Sequence, residues 1–372
     1  MILGERSDIE HQATGGTVDM IWSPERDGVT TVSYSASANL FGFLAAELGF
    51  PLINSQVLMQ KDSREIDDQD LDRIVNHVAE SGAKRTIVTS GTYAMDGIGK
   101  EIASHPNLVT NTQRRAIAMV SSIIPLTGFE QSDGGFNLGM ATAVLQHVDP
   151  TKVPVFGVAS GIAAPIDKMR KSLHNATFRV DAGINMLGYR NYSLVPAGGT
   201  IDFVSNGLDG VEPARKSLIP DYIRDNVRST VSFHATPPIL KDSRYLTKED
   251  RDLIVDLIRQ DTTGFVVVTS GLLKVGLLRD RLNEALRQSV DDHDKNRRVV
   301  ITGSRFLLAM SGVRSDAAFN LGYAHGMLGN IEPGRAHIAV TGRVIGEHED
   351  PLAYCYSVEE LQKIGYDTSV EE

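Results

Sequence analysis

Two short glycine-rich stretches, ATGGTVD at residues 13–19 and PAGGTID at residues 196–202, decide how this chain is interpreted. Each contains two glycines followed by a threonine, an aliphatic residue and an aspartate. One such stretch says little, because glycine pairs are common in turns. Its return in the other half of the chain suggests that a larger unit is repeated.

The similarity extends beyond these stretches. The segment KDSREIDDQDLDRIV, which starts at Lys61, returns 180 positions later as KDSRYLTKEDRDLIV, and SDGGFNLGMA, which starts at Ser132, returns 183 positions later as SDAAFNLGYA. TIVTSGTY and VVVTSGLL are also 180 positions apart. Because order and spacing are kept, we predict a tandem duplication within the 372 residues, with domains at 1–190 and 191–372.

Composition excludes several classes of protein. With 37 Lys and Arg against 47 Asp and Glu, the formal net charge is −10, so we expect no nucleic-acid partner. The sequence has no apolar run of about 18 residues and no signal-peptide core, which predicts a soluble, cytoplasmic protein without a membrane partner. Cys355 is the single cysteine and cannot form an internal disulfide. No phosphate-binding or metal-ligand motif occurs, so we expect no cofactor.

Each half has the pattern of an α/β domain. Leu71, Ile74, Val75 and Val78 recur at helical spacing before Gly82, where we expect the helix to stop. Short apolar runs rich in β-branched residues alternate with such segments and predict buried strands. These runs are KRTIVTS, RRAIAMVSS and VPVFGVAS in the first half and GFVVVTS, RRVVITGS and AHIAVTG in the second. We therefore predict two similar three-layer α/β/α domains with mostly parallel sheets.

Loops at the carboxyl ends of such strands are where these sheets place their sites. TSGT and GFEQSDGG both follow predicted strands. In SDGGFNLG, Ser132 or Asp133 can cap the helix that follows, as Asp316 can in the second half, and this structural role is favoured over a role in binding.

The ordered motifs resemble the larger, N-terminal domain of the bacterial-type L-asparaginase family. The corresponding stretches are TGGTV, KDSRE, SGTYAM, QSDGGFNL and APIDKMRKSLHNATF with a later MLGY, which together span about residues 12–190. A second, similar series covers about residues 194–354, where the C-terminal domain of the family would otherwise stand. The resemblance implies the asparaginase N-domain fold, of the flavodoxin or Rossmann type.

The same resemblance implies amide hydrolysis by a hydroxyl nucleophile, which needs a proton acceptor. It places Thr17 as the nucleophile, Thr92 as the second catalytic threonine and Ser63 against the substrate carboxylate. A lysine is also expected, and we rank Lys168 above Lys171. The substrate would be a small-molecule amide.

The family pattern breaks at two positions in the third motif. Tyr93 replaces an aspartate that in the family orients the lysine and binds the α-ammonium of the substrate, and Ser90 replaces a histidine. We therefore predict that free L-asparagine is a poor substrate and that Tyr93 contacts the substrate instead. Thr30 stands where the family has an activating tyrosine, a role that nearby Tyr34 could take. Asp133 is included as a possible substrate contact.

Two further departures lower the similarity. The stretch SDIEHQ is unusually polar for a central strand before the nucleophile, so we expect this loop to be placed differently. The second half keeps Thr200 and Ser243, but Leu272 and Leu273 replace the threonine and aspartate, which predicts an inactive copy. Lys274 and His325 are better interpreted as a solvated lysine and a hydrogen-bonded helix histidine.

Two classes of function follow. The first is an asparaginase-like amidohydrolase, or an amide or acyl transferase, and an ordinary asparaginase is disfavoured. The second is a catalytically inactive binding or scaffold protein. In the first case the degenerate half could complete the site of the other half, and a homodimer is expected.

Overall fold

The computed structural model describes residues 9–23, 28–109, 115–127, 131–171, 178–180, 191–205, 211–227, 230–233, 239–308 and 314–363. The strands and helices of the first half are β1 (Ile9–Gly15), β2 (Met20–Ser23), β3 (Gly28–Thr31), α1 (Ala36–Leu48), β4 (Leu52–Lys61), α2 (Asp68–Glu80), β5 (Arg85–Thr89), α3 (Met95–Ser104), α4 (Pro106–Val109), β6 (Ala116–Val120), α5 (Asp133–His147), β7 (Val155–Ala159), β8 (Ile162–Pro165), β9 (Met169–Lys171) and β10 (Phe178–Val180).

Those of the second half are β11 (Asn191–Pro196), β12 (Phe203–Ser205), β13 (Val211–Pro213), α6 (Ile219–Asn226), β14 (Thr230–Phe233), α7 (Lys248–Gln260), β15 (Phe265–Thr269), α8 (Val275–Gln288), α9 (Asp292–Asn296), β16 (Arg298–Thr302), α10 (Ala317–Met327), β17 (Arg335–Val340), β18 (Arg343–Ile345) and α11 (Val358–Lys363). Short 3-10 turns at 17–19 and 200–202 follow the two glycine pairs.

Two six-stranded sheets confirm the α/β fold class. Their orders are β4-β1-β5-β6-β7-β8 and β14-β11-β15-β16-β17-β18. In each sheet the first five strands run parallel and the last pairs antiparallel. All six predicted strands are present. The orders agree strand by strand, which is what a duplicated unit predicts, although the duplication itself and the boundary beside residues 181–190, which lie outside the described residues, stay predictions.

Helix α2 shows why these segments fold as they do. Asp67 caps its first turn in a reciprocal capping box with Asp70, while Ile74, Val75 and Val78 are buried on one face. The helix ends at Glu80, two residues before Gly82. Helix α7 has the same device, with Thr247 and Asp250 as its capping pair. Two side chains that satisfy backbone N–H groups at the start of a helix fix where it begins.

Helices cover both faces of each sheet, as predicted, but a helix layer shared by the two halves was not predicted. Helices α2 and α3 bury one face of the first sheet, and α7 and α8 bury one face of the second. The other faces share one apolar core that contains residues of α1, α5, α6 and α10. The two halves are thus joined through a common layer of helices.

Helices α5 and α10 meet at two glycines in a reciprocal arrangement. A Cβ atom at Gly139 would lie 1.9 Å from the carbonyl oxygen of Phe319, and one at Gly322 would lie 1.9 Å from that of Phe136. Each glycine therefore admits the backbone of the opposite helix. The same pair of contacts, glycine on phenylalanine, is thus made in both directions. This is the form of an isologous interface, here within one chain.

The same reciprocity appears farther out. Phe50, which follows α1, packs on Gly342 of the second half, and Val227, which follows α6, packs on Gly161 of the first half. Both glycines have a positive φ, 72° and 69°, and lie in the turn between the last two strands of their sheet. Among the described residues, no helix is long and apolar enough to cross a membrane.

Candidate functional site

Three loops meet at the carboxyl edge of the first sheet. They follow the adjacent parallel strands β4, β1 and β5, so strand order alone brings them together. Gly16, with φ 78°, lies directly on Gly91: a Cβ atom at Gly16 would be 2.0 Å from the Gly91 nitrogen. A Cβ atom at Gly91 would in turn be 2.2 Å from Ser63 Oγ. The loops are in van der Waals contact, and only glycine fits at these two positions.

These loops carry three of the predicted hydroxyl side chains. Thr17 opens the 3-10 turn after β1 and is partly exposed, whereas Ser63 and Thr92 are buried beside it in the loops after β4 and β5. The sheet therefore gathers Thr17, Ser63 and Thr92 at one edge, as the resemblance implies.

The lysine beside Thr92 is Lys171 and not Lys168. Lys171 Nζ donates a hydrogen bond of 3.2 Å to Thr92 Oγ1. Lys168 Nζ instead lies 2.8 Å from a carboxylate oxygen of Asp167. The hydrogen bond favours Lys171, the last residue of β9, as the partner of Thr92. The catalytic role of either lysine stays a prediction.

Partial burial, assisted by the positive charge of Arg64, lowers the pKa of the Lys171 ammonium. A lowered pKa increases the fraction of neutral amine, which can accept a proton. The Thr92–Lys171 pair is thus suited to take a proton from a neighbouring hydroxyl.

Tyr93 lies at the surface of the site. Its side chain is 61% exposed, and Lys171 Nζ lies 2.8 Å from the centroid of its ring. The Arg64 guanidinium lies on the ring as well, 6.0 Å from the centroid. An aromatic face can hold a cation in this way through its quadrupole. Tyr93 therefore contacts the lysine through its ring, where the family has a carboxylate.

Asp133 is buried and hydrogen-bonded within the first half. It is 2% exposed, and its carboxylate accepts hydrogen bonds from the backbone N–H groups of Ile123 and Ile124 and from the Asn137 amide. Burial nevertheless raises the pKa of Asp133 to about 6. Its carboxylate fixes the loop before α5, whose N-cap is Ser132. These hydrogen bonds agree with the structural role, and the binding role stays a prediction; residues 128–130 of the preceding loop lie outside the described residues.

Neither candidate for the activating tyrosine position has a described contact with Thr17. Thr30 is paired with Ile21 in the β2–β3 hairpin. Tyr34 is 42% exposed and directly precedes Ser35, the N-cap of α1. Tyr34 is linked to the nucleophile turn through that neighbour, and its role stays a prediction.

Asp19 holds the turn that carries Thr17, a role that the sequence interpretation missed. It is fully buried two residues after Thr17, and its Oδ1 accepts from Ser35 Oγ at 2.9 Å and from the backbone N and Oγ of Ser37 at 2.7 and 2.8 Å. Burial raises the pKa of Asp19 to about 6 although these donors favour the carboxylate. A carboxylate at the start of α1 also complements the helix dipole.

The second half has an equivalent set of hydrogen bonds. Asp202 accepts from Ser217 Oγ at 2.8 Å and from the backbone N of Leu218 at 2.8 Å, at the start of α6. The sequence signal for this role was the aspartate that ends both glycine stretches. In both halves it joins the turn to the start of a helix.

Strand β1 is an interior strand of the first sheet and is wholly buried despite its polarity. The expected difference in the placement of the loop after it stays a prediction. The polar side chains of β1 have partners: His11 Nδ1 and Nε2 lie 2.8 Å from Ser55 Oγ and 3.3 Å from Thr89 Oγ1, and Gln12 Nε2 donates to Glu10 at 3.2 Å. Burial lowers the pKa of His11 to about 3, so the imidazole is neutral. A polar strand is tolerated here because most of its groups are hydrogen-bonded, although Gln12 Oε1 has no partner among the described residues.

The corresponding edge of the second sheet has the same glycine contacts but has leucines at the positions that match Thr92 and Tyr93. A Cβ atom at Gly199 would lie 2.1 Å from the Gly271 nitrogen, and Ser243 is buried against Gly271. Leu272 is buried where the first half has Thr92. His325 lies between Phe136 and Tyr192, with ring centroids at 5.5 and 5.0 Å, and is not hydrogen-bonded among the described residues, contrary to expectation.

The fold and the site together define an α/β protein with a hydroxyl and amine cluster at the carboxyl edge of one sheet. Residues 9–178, a little under half of the chain, match the family model described as Asparaginase, N-terminal. The matched range includes Thr17, Ser63, Thr92 and Lys171. The match supports an assignment of the first half to the asparaginase family.

A solved structure, that of a probable cytoplasmic L-asparaginase from Campylobacter jejuni, is similar to this chain with a TM-score of 0.38 and 15% sequence identity. The alignment covers 87% of this chain and 93% of that chain. No curated protein matches the sequence.

Proposed function

We propose that this chain is an asparaginase-like amidohydrolase, or an amide or acyl transferase, that uses Thr17 on an amide other than free L-asparagine. The family match over the first half supports amide chemistry at the coarse level. The observation that carries the finer proposal is the 3.2 Å hydrogen bond between Lys171 Nζ and Thr92 Oγ1 beside the Thr17 turn. A hydroxyl nucleophile needs such a proton acceptor at neutral pH.

In the proposed reaction, Thr17 Oγ attacks the amide carbonyl carbon while its proton passes to the Thr92–Lys171 pair. A bond forms between Oγ and carbon, and the C–N bond breaks. The departing nitrogen takes a proton and leaves as ammonia. Water, in a hydrolase, or another nucleophile, in a transferase, then displaces Thr17 from the acyl group.

The substrate proposal depends on Tyr93. A carboxylate at this position would bind an α-ammonium, whereas the exposed ring of Tyr93 carries no negative charge and already faces Lys171 Nζ. A charge-assisted hydrogen bond contributes about 1.5–3 kcal/mol, so losing it weakens asparagine binding by an order of magnitude or more. Measurable turnover of millimolar L-asparagine would contradict this part of the proposal.

The test is ammonia release from a panel of amides that includes asparagine, glutamine and their N-acyl and peptide forms. Thr17→Ala is expected to abolish release, while Thr200→Ala, the matched change in the second half, is expected to leave it intact. Release that survives Thr17→Ala would exclude Thr17 as the nucleophile. The absence of release from any amide would favour the binding or scaffold protein.

A further inference from the structure

A series of buried polar side chains runs from the end of the first glycine stretch to strand β4. Ser37 Oγ donates to Asp19 Oδ1 at 2.8 Å and lies 3.1 Å from Thr89 Oγ1. His11 Nε2 lies 3.3 Å from the same Thr89 oxygen, and His11 Nδ1 lies 2.8 Å from Ser55 Oγ. The first four of these residues are fully buried, and Ser55 is partly buried. The five residues are called the His11 network below.

The hydrogen bonds of the His11 network have one direction, because each hydroxyl group has a single proton. The Ser37 proton is donated to the Asp19 carboxylate, so the Thr89 hydroxyl is the donor to Ser37. Thr89 Oγ1 must then accept from His11, which assigns the imidazole proton to Nε2. His11 Nδ1 is left to accept from Ser55 Oγ. The other tautomer would leave the contact between Ser37 and Thr89 without a proton.

The His11 network joins the two loops that carry the hydroxyls of the proposed reaction. Asp19 lies two residues after Thr17 in the same turn. Thr89 is the last residue of β5, three residues before Thr92, and its carbonyl oxygen accepts from Thr14 Oγ1 at 2.9 Å. Movement of either loop would stretch these hydrogen bonds. Buried hydrogen bonds of this kind keep reacting groups at a fixed separation.

The second half reaches the same fold without this network. Its sheet has the same strand order as the first. Leu194, 183 positions after His11, pairs in register with Phe233 on the edge strand, as His11 pairs with Ser55. Two apolar residues thus stand where the first half has an imidazole and a hydroxyl. Among the described residues, the network occurs only in the half that has Thr92, so the fold alone does not require it.

Strands β5 and β15 provide a matched pair of threonines. Thr89 and Thr269 are fully buried, and each is the last residue of its strand. Thr89 is bonded within the network, whereas Thr269 Oγ1 has no partner among the described residues. Removing the hydroxyl from each makes the same chemical change at the same place in the fold, with and without the network.

We propose that the His11 network positions the Thr17 turn against the Thr92 loop, and that His11 is a positioning residue for the nucleophile. The effect on rate rests on the proposed function. A buried polar group gains little stability over an apolar group of the same shape, even when it is fully hydrogen-bonded. Placement of the site therefore explains the network better than stability does.

The first experiment measures kcat and KM with the panel amide that the wild-type protein hydrolyses fastest. Thr89→Val should lower kcat about 10- to 100-fold and leave KM within about twofold, because the two loops shift while the substrate contacts remain. Thr89→Ser, which keeps the hydroxyl, should retain most of kcat. Thr269→Val should change neither constant. Equal kcat values in Thr89→Val and Thr269→Val would overturn the inference.

A double variant separates positioning from stability. Thr89→Val leaves the proton of His11 Nε2 without an acceptor, so the midpoint of urea denaturation should fall. Adding His11→Leu removes that donor and introduces the residue type of Leu194, so the midpoint should recover. The value of kcat should stay low. Recovery of kcat together with stability would show a purely structural role and overturn the inference.

A measurement without substrate separates this inference from the proposed function. Asp19 N donates to Gly16 O at 2.9 Å and Met20 N donates to Thr17 O, so exchange of these two amide hydrogens reports on the turn. Exchange should be about tenfold faster than in wild type in Thr89→Val and in the double variant, and unchanged in Thr269→Val. Equal exchange in all of these proteins would overturn the inference, whether or not an amide is hydrolysed. Faster exchange in a protein that hydrolyses no amide would reject the amidohydrolase and support the network.

Discussion

The contact between α5 and α10 gives a stability prediction whose sign depends on position. In Gly139→Ala the new Cβ atom would lie 1.9 Å from the Phe319 oxygen and 2.8 Å from the Tyr323 nitrogen, and both are backbone atoms. Ordinary contact begins at 3.4 Å, so the helices must separate by about 1.5 Å. No rotamer change can relieve a clash with backbone, and overpacking of a core costs about 1–3 kcal/mol.

The control is Gly42→Ala in α1, where a Cβ atom would meet nothing within 4 Å. Alanine is favoured over glycine inside a helix by about 0.5–1 kcal/mol, so this variant should be more stable than wild type. The same gain offsets part of the clash in Gly139→Ala, which leaves a net loss of about 1 kcal/mol.

The assay is urea denaturation followed by circular dichroism, with the melting temperature as a second readout. Gly322→Ala should resemble Gly139→Ala. The double variant should lose less than the sum of the two, because helices that have already separated leave room for the second methyl group. If Gly139→Ala proves as stable as Gly42→Ala, the two helices do not contact each other as described.

Three further predictions concern the site and the core. Lys171→Met should lower kcat by about 100-fold or more, the usual contribution of a general base, whereas Lys168→Met should retain most activity; the reverse result in an ammonia assay would restore the original ranking. Asp19→Ala and Asp202→Ala each leave buried hydrogen-bond donors without an acceptor and should lower the free energy of unfolding by about 1–3 kcal/mol. Only Asp19→Ala should also lower activity, and full activity in that variant would show that the turn does not depend on the hydrogen bonds of Asp19. Burial lowers the pKa of His325 from 6.5 to about 3, so its stabilising contribution is present above pH 6.5 and is lost as the pH falls towards 3. The free energy of unfolding of His325→Leu should therefore rise relative to wild type by about 1.4 kcal/mol for each pH unit between about pH 6 and 4. A difference that does not depend on pH would mean that the imidazole is not buried as a neutral group.

The fold class could be predicted from sequence because its signals are local. The strand RTIVT at 85–89 and the helix that begins after Asp67 are each encoded by their own residues, through apolar periodicity and a capping pair. The loops that carry Thr17 and Ser63 meet because their strands are adjacent, an order that the motifs alone do not specify.

What the sequence could not provide depends on contacts between distant segments. Lys168 and Lys171 differ by three positions, and only the placement of β9 decides which one reaches Thr92. The polar sequence of β1 gave no indication of how its side chains are satisfied. His11 has its partners, Ser55 and Thr89, on two neighbouring strands. Arg64 stands next to Ser63 in a repeated motif, yet its proximity to Tyr93 is a property of the folded loop.

The reciprocal packing of α5 and α10 within one chain has an evolutionary consequence. In an assembly of two identical subunits, any substitution appears in both subunits at once. A residue at the interface or in the site therefore cannot change on one side alone. Here each side of a matched contact is encoded separately. Leu272 and Leu273 stand at the positions that match Thr92 and Tyr93, while the glycines at the contact between the halves are present on both sides. Two halves of one chain can thus differ in the chemistry of their loops while they retain their mutual fit.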